Sequence, residues 1–381
     1  MKKILITGGT VFVSRYAAQY FVDKGYEVYV VNRNSRPQVP GVKLIETDRH
    51  DLGDKLKDIY FDVVADITAY NAEDITDLCD SLGSFGQYIM ISSSAVYPEY
   101  GDQPFREDSE RALNRYWGSY GTDKIAAEDA LLDRVSDAYI LRPPYIYGPM
   151  NNVYREAFVF DCARADRPFY LPGDGGMKLQ FFHVKDLCIL MERVIEEKPE
   201  THIMNVGNVE PVTIKDWVTM CYACFDKIPA FVNVSEDIEQ RNYFSFYNYE
   251  YYLDVQQQNK IYSETISLED GLKECAEWYV EMDEVISSQE EMERLLKSFQ
   301  VVGGGNTDFR PAFTYVNQLI KEGSIRHLDG LLYFTDGKGI YPVKKPEYKT
   351  AFLFLGAYDE TAVPPWAMRL QLEPEELEQN A

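Results

Sequence analysis

The sequence predicts an α/β protein: a doubly wound parallel sheet with a small α+β cap, plus a C-terminal α/β fragment. Three observations predict it. Short apolar strands alternate with amphipathic helices from the first residues onward. The first strand runs into a glycine turn and then a helix, the signature of a βαβ unit. Later strands are apolar almost without interruption, as strands covered by helices on both faces must be.

Lys3 to Thr7 reads as the first strand, Gly8-Gly9-Thr10 as its turn, and Ser14 to Lys24 as a helix ended by Gly25. Tyr26 to Asn32, Val42 to Glu46 and Asp62 to Thr68 are the next strands. A helix around Ala72 to Leu82 leads to the apolar strand Gln87 to Ser92. Ser119 to Val135 is a long helix and Ala138 to Arg142 the following strand. After Tyr147-Gly148-Pro149 the rhythm loosens. Residues 150–265, with a Tyr- and Phe-dense stretch from Asn242 to Leu253, supply the cap over the strand ends, where ligands bind in such sheets. Leu268 to Val280 closes a first domain, residues 1–282. The α/β pattern restarts over residues 283–381. Ser288 to Ser298 and Pro311 to Glu322 read as helices, Gly303-Gly304-Gly305 as a turn, and Glu373 onward as an acidic tail. Leu328 to Thr335, Thr350 to Gly356 and Ala367 to Leu372 read as strands.

The chain carries 62 acidic against 38 basic residues, a net charge of -24, which repels phosphate backbones and anionic membranes. Nucleic acid and membrane are therefore not expected partners, although a local basic groove is compatible with this balance. Of the six cysteines, Cys221 and Cys224 form a lone CxxC without the second pair a zinc site needs, so core thiols are expected. No signal peptide precedes the first strand and no apolar run approaches ~20 residues. The expectation is a soluble, cytoplasmic protein with reduced thiols.

The loop Thr7-Gly8-Gly9-Thr10-Val11-Phe12-Val13-Ser14 sits between a strand and a helix, the context that makes a glycine motif informative. Glycine lets the backbone approach a pyrophosphate and the helix N-terminus supplies amide donors. Val11 stands at the usual second-glycine position and Ser14 at the third. A tight turn that binds nothing is the alternative. The second strand ends in Asn32-Arg33, an amide and a cation where NAD sites usually carry an acid. Arg33 can pair with a 2′-phosphate, which favours NADP over NAD, or it is a surface arginine. Asp48 can accept from the adenine amine, or cap its turn.

Tyr120 and Lys124 lie one helical turn apart on one face. A neighbouring cation favours the phenolate, which would bring a phenol of pKa ~10 toward neutral pH as an acid/base. Ser92-Ser93-Ser94 ends the preceding strand and offers a hydroxyl to the substrate oxygen, while Lys124 would hold the nicotinamide ribose. Tyr-x-x-x-Lys alone is common on solvated helix faces. Between a serine cluster and Arg142-Pro143-Pro144 it is far more specific.

Residues 1 to about 280 resemble the extended and atypical short-chain dehydrogenase/reductases, the NAD-dependent epimerase/dehydratase family with its Rossmann-type fold. The matching pieces are Gly8-Gly9-Thr10 with Phe12, Ser92-Ser93-Ser94-Ala95-Val96-Tyr97, Tyr120 with Lys124, Leu141-Arg142-Pro143-Pro144, Tyr147-Gly148-Pro149 and Phe182-His183-Val184-Lys185-Asp186-Leu187. The Gly-Gly-Thr-x-Phe variant and Asn32-Arg33 are most similar to the branch containing the chloroplast stem-loop-binding proteins. The resemblance implies Ser93, Tyr120 and Lys124 as a catalytic triad. It puts Gly8, Gly9, Thr10, Val11, Phe12, Asn32, Arg33, Asp48, Ser92 and Pro143 with Tyr120 and Lys124 around NADP or NAD. His183 belongs to a structural motif, so a satisfied buried histidine is expected. Tyr154, Arg155 and Gln180 in the cap are expected at the substrate. The implied activity is an NAD(P)-dependent oxidoreductase or epimerase acting on a nucleotide-sugar or related hydroxyl or carbonyl compound. No acid/base pair for a dehydratase stands beside Ser93, since Glu99 and Asp102 read as solvated. The alternative is a non-catalytic NADP-binding or RNA-interacting scaffold. Dimerisation through the Tyr120 helix is a fold analogy.

From about residue 283 the chain resembles a different family, bacterial von Willebrand A-like proteins of the metallopeptidase type. Gly303-Gly304-Gly305-Asn306-Thr307-Asp308-Phe309-Arg310-Pro311, Tyr333-Phe334-Thr335-Asp336-Gly337 and Val363-Pro364-Pro365-Trp366 carry the likeness. It implies Thr307 and Asp336 as remnants of a divalent-metal site whose Asp-x-Ser-x-Ser element is absent, so no bound metal is expected. The whole then reads as a fusion.

Overall fold

A computed structural model describes residues 1–235, 237–287, 307–321, 328, 330–335, 339–355 and 363–372. The expected helix Ser288 to Ser298, the triple-glycine turn, Asp336 and the acidic tail lie outside the described residues. The chain divides into two compact units, Met1–Gln289 and Glu290–Ala381.

In the first unit the elements follow in order as β1 (Lys3–Thr7), α1 (Phe12–Asp23), β2 (Glu27–Asn32), β3 (Lys43–Glu46), β4 (Phe61–Asp66), α2 (Ala72–Ser81) and β5 (Phe85–Ile91). Then come α3 (Ser119–Arg134), β6 (Tyr139–Arg142), β7 (Tyr145–Tyr147), α4 (Glu156–Arg164), β8 (Phe169–Pro172), β9 (Lys178–Leu179) and β10 (Phe181–His183). The unit closes with α5 (Val184–Glu197), β11 (Ile203–Asn205), β12 (Val212–Thr213), α6 (Ile214–Ala223), β13 (Phe231–Val234), α7 (Gln256–Asn259) and α8 (Leu268–Ser287). Helix α1 begins at Phe12 rather than Ser14, and α8 continues to Ser287, beyond the expected Val280.

Seven strands form one parallel sheet in the order β11-β6-β5-β4-β1-β2-β3. The chain winds outward from β1 in both directions, so the strand order reverses between β1 and β4 and a crevice opens at their carboxyl ends. The period of two in each strand sorts its apolar side chains into two layers. Ile4, Ile6, Val28, Val30, Val63 and Ala65 pack with Phe21 of α1 and Leu187, Leu190 and Met191 of α5. Leu5, Val31, Val64, Met90 and Ile140 pack with Ile75 and Leu78 of α2 and Ala127 and Leu131 of α3.

The cap is held by short ladders, β7 with β10, β8 with β13 and β9 with β12, and by an aromatic core. Tyr145, Phe181, Trp217, Phe244, Phe246 and Tyr251 pack there, which explains the aromatic density noted from Asn242 to Leu253. Cys221 is buried and Cys224 half-buried in this layer, and all six cysteines are free. Burial pushes the Cys221 thiol well above its usual range and Cys224 up to about 11, so both stay protonated and inert.

In the second unit the helix Arg310–Lys321 precedes three parallel strands, Gly330–Thr335, Lys349–Leu355 and Met368–Leu372, adjacent in that order. Phe309, Phe313, Tyr341, Phe352 and Phe354 form its core. A two-residue ladder, Thr307–Asp308 with Gly339–Ile340, was not foreseen because two residues carry no periodicity. The side chain of Thr307, like Asp336, lies outside the described residues. Among the described residues no helix is long and apolar enough to cross a membrane.

Candidate active site

The turn after β1 needs glycine for space as well as conformation. Gly8 and Gly9 have φ of +88° and +92°, and a Cβ on Gly9 would lie 2.6 Å from Val30 Cγ1. Val11, the cap residue of α1, offers no side-chain acceptor, so the first-turn amides of the helix remain available to an anion. Val11, Phe12, Val13 and Ser14 line a cleft of about 620 Å³. Ser92, Ser93, Tyr120, Lys124 and Pro143 line it too, and Tyr145, Arg155, Tyr247 and Tyr251 join them from the cap. A glycine cradle that a Cβ would fill and an uncapped helix start fit the pyrophosphate of a dinucleotide. Gly9→Ala is therefore expected to weaken NADH binding roughly tenfold, from about 1–3 kcal/mol of backbone strain and the clash with Val30. A fluorescence titration giving an unchanged Kd would show that the cofactor backbone does not approach this turn.

Helix α3 brings Tyr120 and Lys124 to the end of β5 by unusually close packing. A Cβ on Gly121 would stand 2.4 Å from the Ala95 carbonyl oxygen, so only glycine lets α3 approach the short turn Ser94–Val96 that follows Ser93. Ser93 Oγ accepts from Ala95 N at 3.1 Å, and Ser93 lines the same cleft as Tyr120, whose phenol its hydroxyl favours in the charged form. Tyr120 is 39% exposed, open on the cleft side and crowded by protein on the other.

The charge relation between Tyr120 and Lys124 differs from the sequence expectation. Burial pushes the Tyr120 phenol above its usual range, and the Ser93 hydroxyl and the Arg155 charge only partly oppose it. The Lys124 ammonium gives its hydrogen bonds to backbone carbonyls rather than to the phenol. Its Nζ donates to Ala69 O at 2.6 Å and Ile91 O at 2.9 Å, and lies 5.1 Å from the Tyr70 ring centre and 5.9 Å from that of Tyr120. Lys124 is only 2% exposed, and burial brings it down to about 8 against the opposing pull of Asp66 and Glu128.

An unfolded lysine keeps its proton to ~10.4. Between about pH 8 and that value the unfolded chain binds more protons than the folded one, so stability from this residue rises with pH across the window. The penalty is fully present below about 8. Urea unfolding of wild type and Lys124→Met is expected to show wild type gaining on the variant from pH 8 to 10; parallel profiles would contradict it.

Beside Lys124 lies a network of buried charge. Glu128, one turn beyond Lys124, accepts from Arg142 Nε at 2.9 Å, Arg142 Nη2 at 2.6 Å, Arg111 Nη1 at 3.0 Å and the Ser92 hydroxyl. Arg142 also donates to the Tyr97 hydroxyl at 2.8 Å, which donates to Asn205 Oδ1 at 2.7 Å. Beside it, the Thr7 hydroxyl donates to Asp66 at 2.7 Å and accepts from the amides of Ile67 and Thr68, tying β1 to β4 where the crevice opens. Arg49 closes this corner by pairing with Asp66 at 3.2 Å and Asp74 at 3.0 Å.

The model of the NAD dependent epimerase/dehydratase family matches residues 4–207, more than half of the chain. The chain belongs to the NAD-dependent epimerase/dehydratase family. Among curated relatives, the chloroplast stem-loop binding protein of 41 kDa b of Arabidopsis thaliana is 31% identical over 240 residues, covering 58% of this chain. The chain spans 62% of that relative's length. A Streptomyces dTDP-4-dehydro-6-deoxy-D-allose reductase is 24% identical over 275 residues, covering 58% of this chain and 81% of the reductase. Among solved structures, the UDP-glucuronic acid 4-epimerase of Bacillus cereus, in complex with UDP-glucuronic acid and NAD, superposes with a TM-score of 0.60 at 20% identity. That match covers 74% of this chain and 99% of the epimerase, and it establishes the fold.

The remaining expected residues of this epimerase/dehydratase-family chain divide clearly. Thr10 is half-buried at the turn. Asn32 donates to Gly8 O at 2.7 Å and exchanges hydrogen bonds with Gln38, so its amide braces the glycine turn. Arg33 is exposed and faces Asp48 across 3.8 Å. Arg155 lines the cleft. Gln180 does not: it is buried, donating to Asn208 O at 2.7 Å and accepting from Leu253 N at 2.8 Å. Its amide is consumed by backbone, which corrects its expected place at the substrate. Tyr154 is exposed but directs its hydroxyl to Asp161, away from the cleft lining. Glu99 accepts from Arg115 N and stands outside the cleft. His183 is buried and caps α5 by accepting from Lys185 N at 3.3 Å. Its Nε2 has no hydrogen bond, so it is half-satisfied rather than satisfied, and burial lowers it to about 4. Sequence reasoning missed Glu128, Gly121, Arg49 and Asp66; the helical spacing of Glu128 behind Lys124 was the one available signal for any of them.

Proposed function

We propose that the first unit is an NAD(P)-dependent oxidoreductase or epimerase acting on a nucleotide-sugar or related hydroxyl or carbonyl compound. What carries this is the convergence, in one cleft, of the Tyr120 hydroxyl, Ser93, buried Lys124 and the uncapped start of α1. Names of relatives and neighbours, a sugar reductase and a UDP-sugar epimerase, support the substrate class. Ser93 positions the substrate oxygen. Tyr120 takes the hydroxyl proton during oxidation and returns it during reduction. Its raised pKa keeps it protonated and ready to donate in the reducing direction at neutral pH, whereas the oxidising direction needs the phenolate and is favoured as pH rises. A bound nicotinamide supplies the hydride acceptor or donor. Lys124 has one N–H beyond those given to Ala69 and Ile91, and a ribose hydroxyl is the acceptor assigned to it. Among the described residues no carboxylate lines the cleft, which favours simple redox or epimerisation over dehydration.

Exposed Arg33 supports NADP over NAD. Tighter NADPH than NADH binding, equalised by Arg33→Ala, is the expected outcome. For the second unit, the helix followed by parallel strands supports a partial von Willebrand A-like domain without its own activity. Micromolar Mg²⁺ binding by the full chain, absent from an Asp336→Asn variant, would overturn this.

A second reading is favoured by the 31% identity to the stem-loop binding protein: a non-catalytic NADP-binding or RNA-interacting scaffold. Cofactor reduction across a panel of nucleotide-sugars decides between them. Turnover with any member supports the enzyme. RNA-hairpin retention on filters, without turnover on the panel, supports the scaffold.

A further inference from the structure

The cleft reverses the charge of the protein that contains it. The chain has a net charge of -24, yet the described lining carries two cations, Lys124 and Arg155, and no carboxylate. Lys124 spends its charge on two carbonyls and the Tyr70 ring. Arg155 is different. Around the triad, Arg49, Arg111 and Arg142 are all paired with carboxylates. Among the described residues nothing accepts a hydrogen bond from the Arg155 guanidinium, and the carboxylate next to it in sequence, Glu156, is buried and bonded to Asn151 Nδ2 at 2.7 Å.

Two ring faces hold Arg155 in place. Its guanidinium lies 5.1 Å from the centre of Tyr145 and 5.8 Å from that of Phe246. Those rings orient the side chain without satisfying its donors. It lines the same cleft as Tyr120 and Tyr251, so it faces the space into which the proton-transfer group opens. A planar guanidinium with unspent donors, framed by aromatic rings, matches a carboxylate or phosphate oxygen pair.

We propose that Arg155 is a specificity-determining residue that receives an anionic substituent on the substrate's reacting ring, close to the hydroxyl served by Tyr120, so that acidic sugars are preferred to neutral ones. This rests on the nucleotide-sugar reading above. The anion in question belongs to the reacting ring, not to the diphosphate of the carrier, and the two sources can be told apart.

The test is equilibrium binding of UDP, UDP-glucose and UDP-glucuronic acid to the NAD-loaded full chain, in wild type, Arg155→Gln and Arg155→Lys. NADH affinity serves as the check on folding. Wild type is expected to bind UDP-glucuronic acid roughly 10- to 100-fold more tightly than UDP-glucose, the worth of a charge-assisted hydrogen bond. Arg155→Gln should abolish that preference while leaving UDP and UDP-glucose unchanged, and Arg155→Lys should retain part of it. Equal wild-type affinity for the two sugars overturns the proposal alone. So does a parallel loss of all three ligands in Arg155→Gln, which assigns the residue to the diphosphate. Binding of none of them by protein that still binds NADH overturns the nucleotide-sugar reading, and the proposal with it.

Discussion

Tyr120→Phe is expected to lower turnover by roughly 10²- to 10⁴-fold while leaving NADH affinity essentially unchanged. The substitution removes one oxygen and keeps the ring. That ring stands 5.9 Å from the Lys124 ammonium and 6.5 Å from the Tyr70 ring, so the packing that holds the cleft open survives. What disappears is the phenolic hydroxyl to which the proposed mechanism gives the proton transfer. The loss should therefore fall on kcat more than on KM. Ser93→Ala should cost less, because it removes an orienting hydroxyl and one of the influences that lower the Tyr120 pKa. In that variant the basic limb assigned to Tyr120 should move to higher pH. A Tyr120→Phe protein that turns over at the wild-type rate would remove the phenol from the chemistry.

The largest effect on stability is expected for Glu128→Ala, about 3–5 kcal/mol in urea unfolding, the usual result of removing one partner from a buried ion pair. Glu128 is fully buried and receives two bonds from Arg142, one from Arg111 and one from Ser92. Its removal leaves Arg142 charged and almost without solvent, retaining only the Tyr97 hydroxyl and the Glu107 carbonyl. The double variant Glu128→Met, Arg142→Met should recover part of the loss, because no unpaired charge remains in the core. A cost below 1 kcal/mol for the single change would mean that water or another group replaces the carboxylate.

The parts of this molecule legible in the sequence are those encoded locally. Strand and helix periodicity gave the alternating elements, and the glycine turn marked the start of α1 to within two residues. Tyr120 and Lys124 were visible because helical spacing alone puts them on one face. The rest depends on register between distant segments. Glu128 and Arg142 meet only because α3 lies over β6, and Arg49 reaches Asp66 and Asp74 only once β4 is placed in the sheet. Gly121 looked like filler inside a motif, but its importance comes from the Ala95 carbonyl pressed against it. The direction of the Lys124 side chain was set by the two carbonyls it finds, and the Tyr120 phenol is raised by burial that only the folded packing creates. Polarity misled at Gln180, because residue type does not distinguish an amide facing a ligand from one consumed by backbone.

A crystal structure of the protein grown with NADP is the most direct test of the central claim. The expected result places the pyrophosphate on the amides that open α1 and the nicotinamide beside Lys124 and Pro143, with its reactive face toward the Tyr120 hydroxyl. A cofactor bound elsewhere, or a Tyr120 hydroxyl turned out of the cleft with the nicotinamide in place, would contradict it.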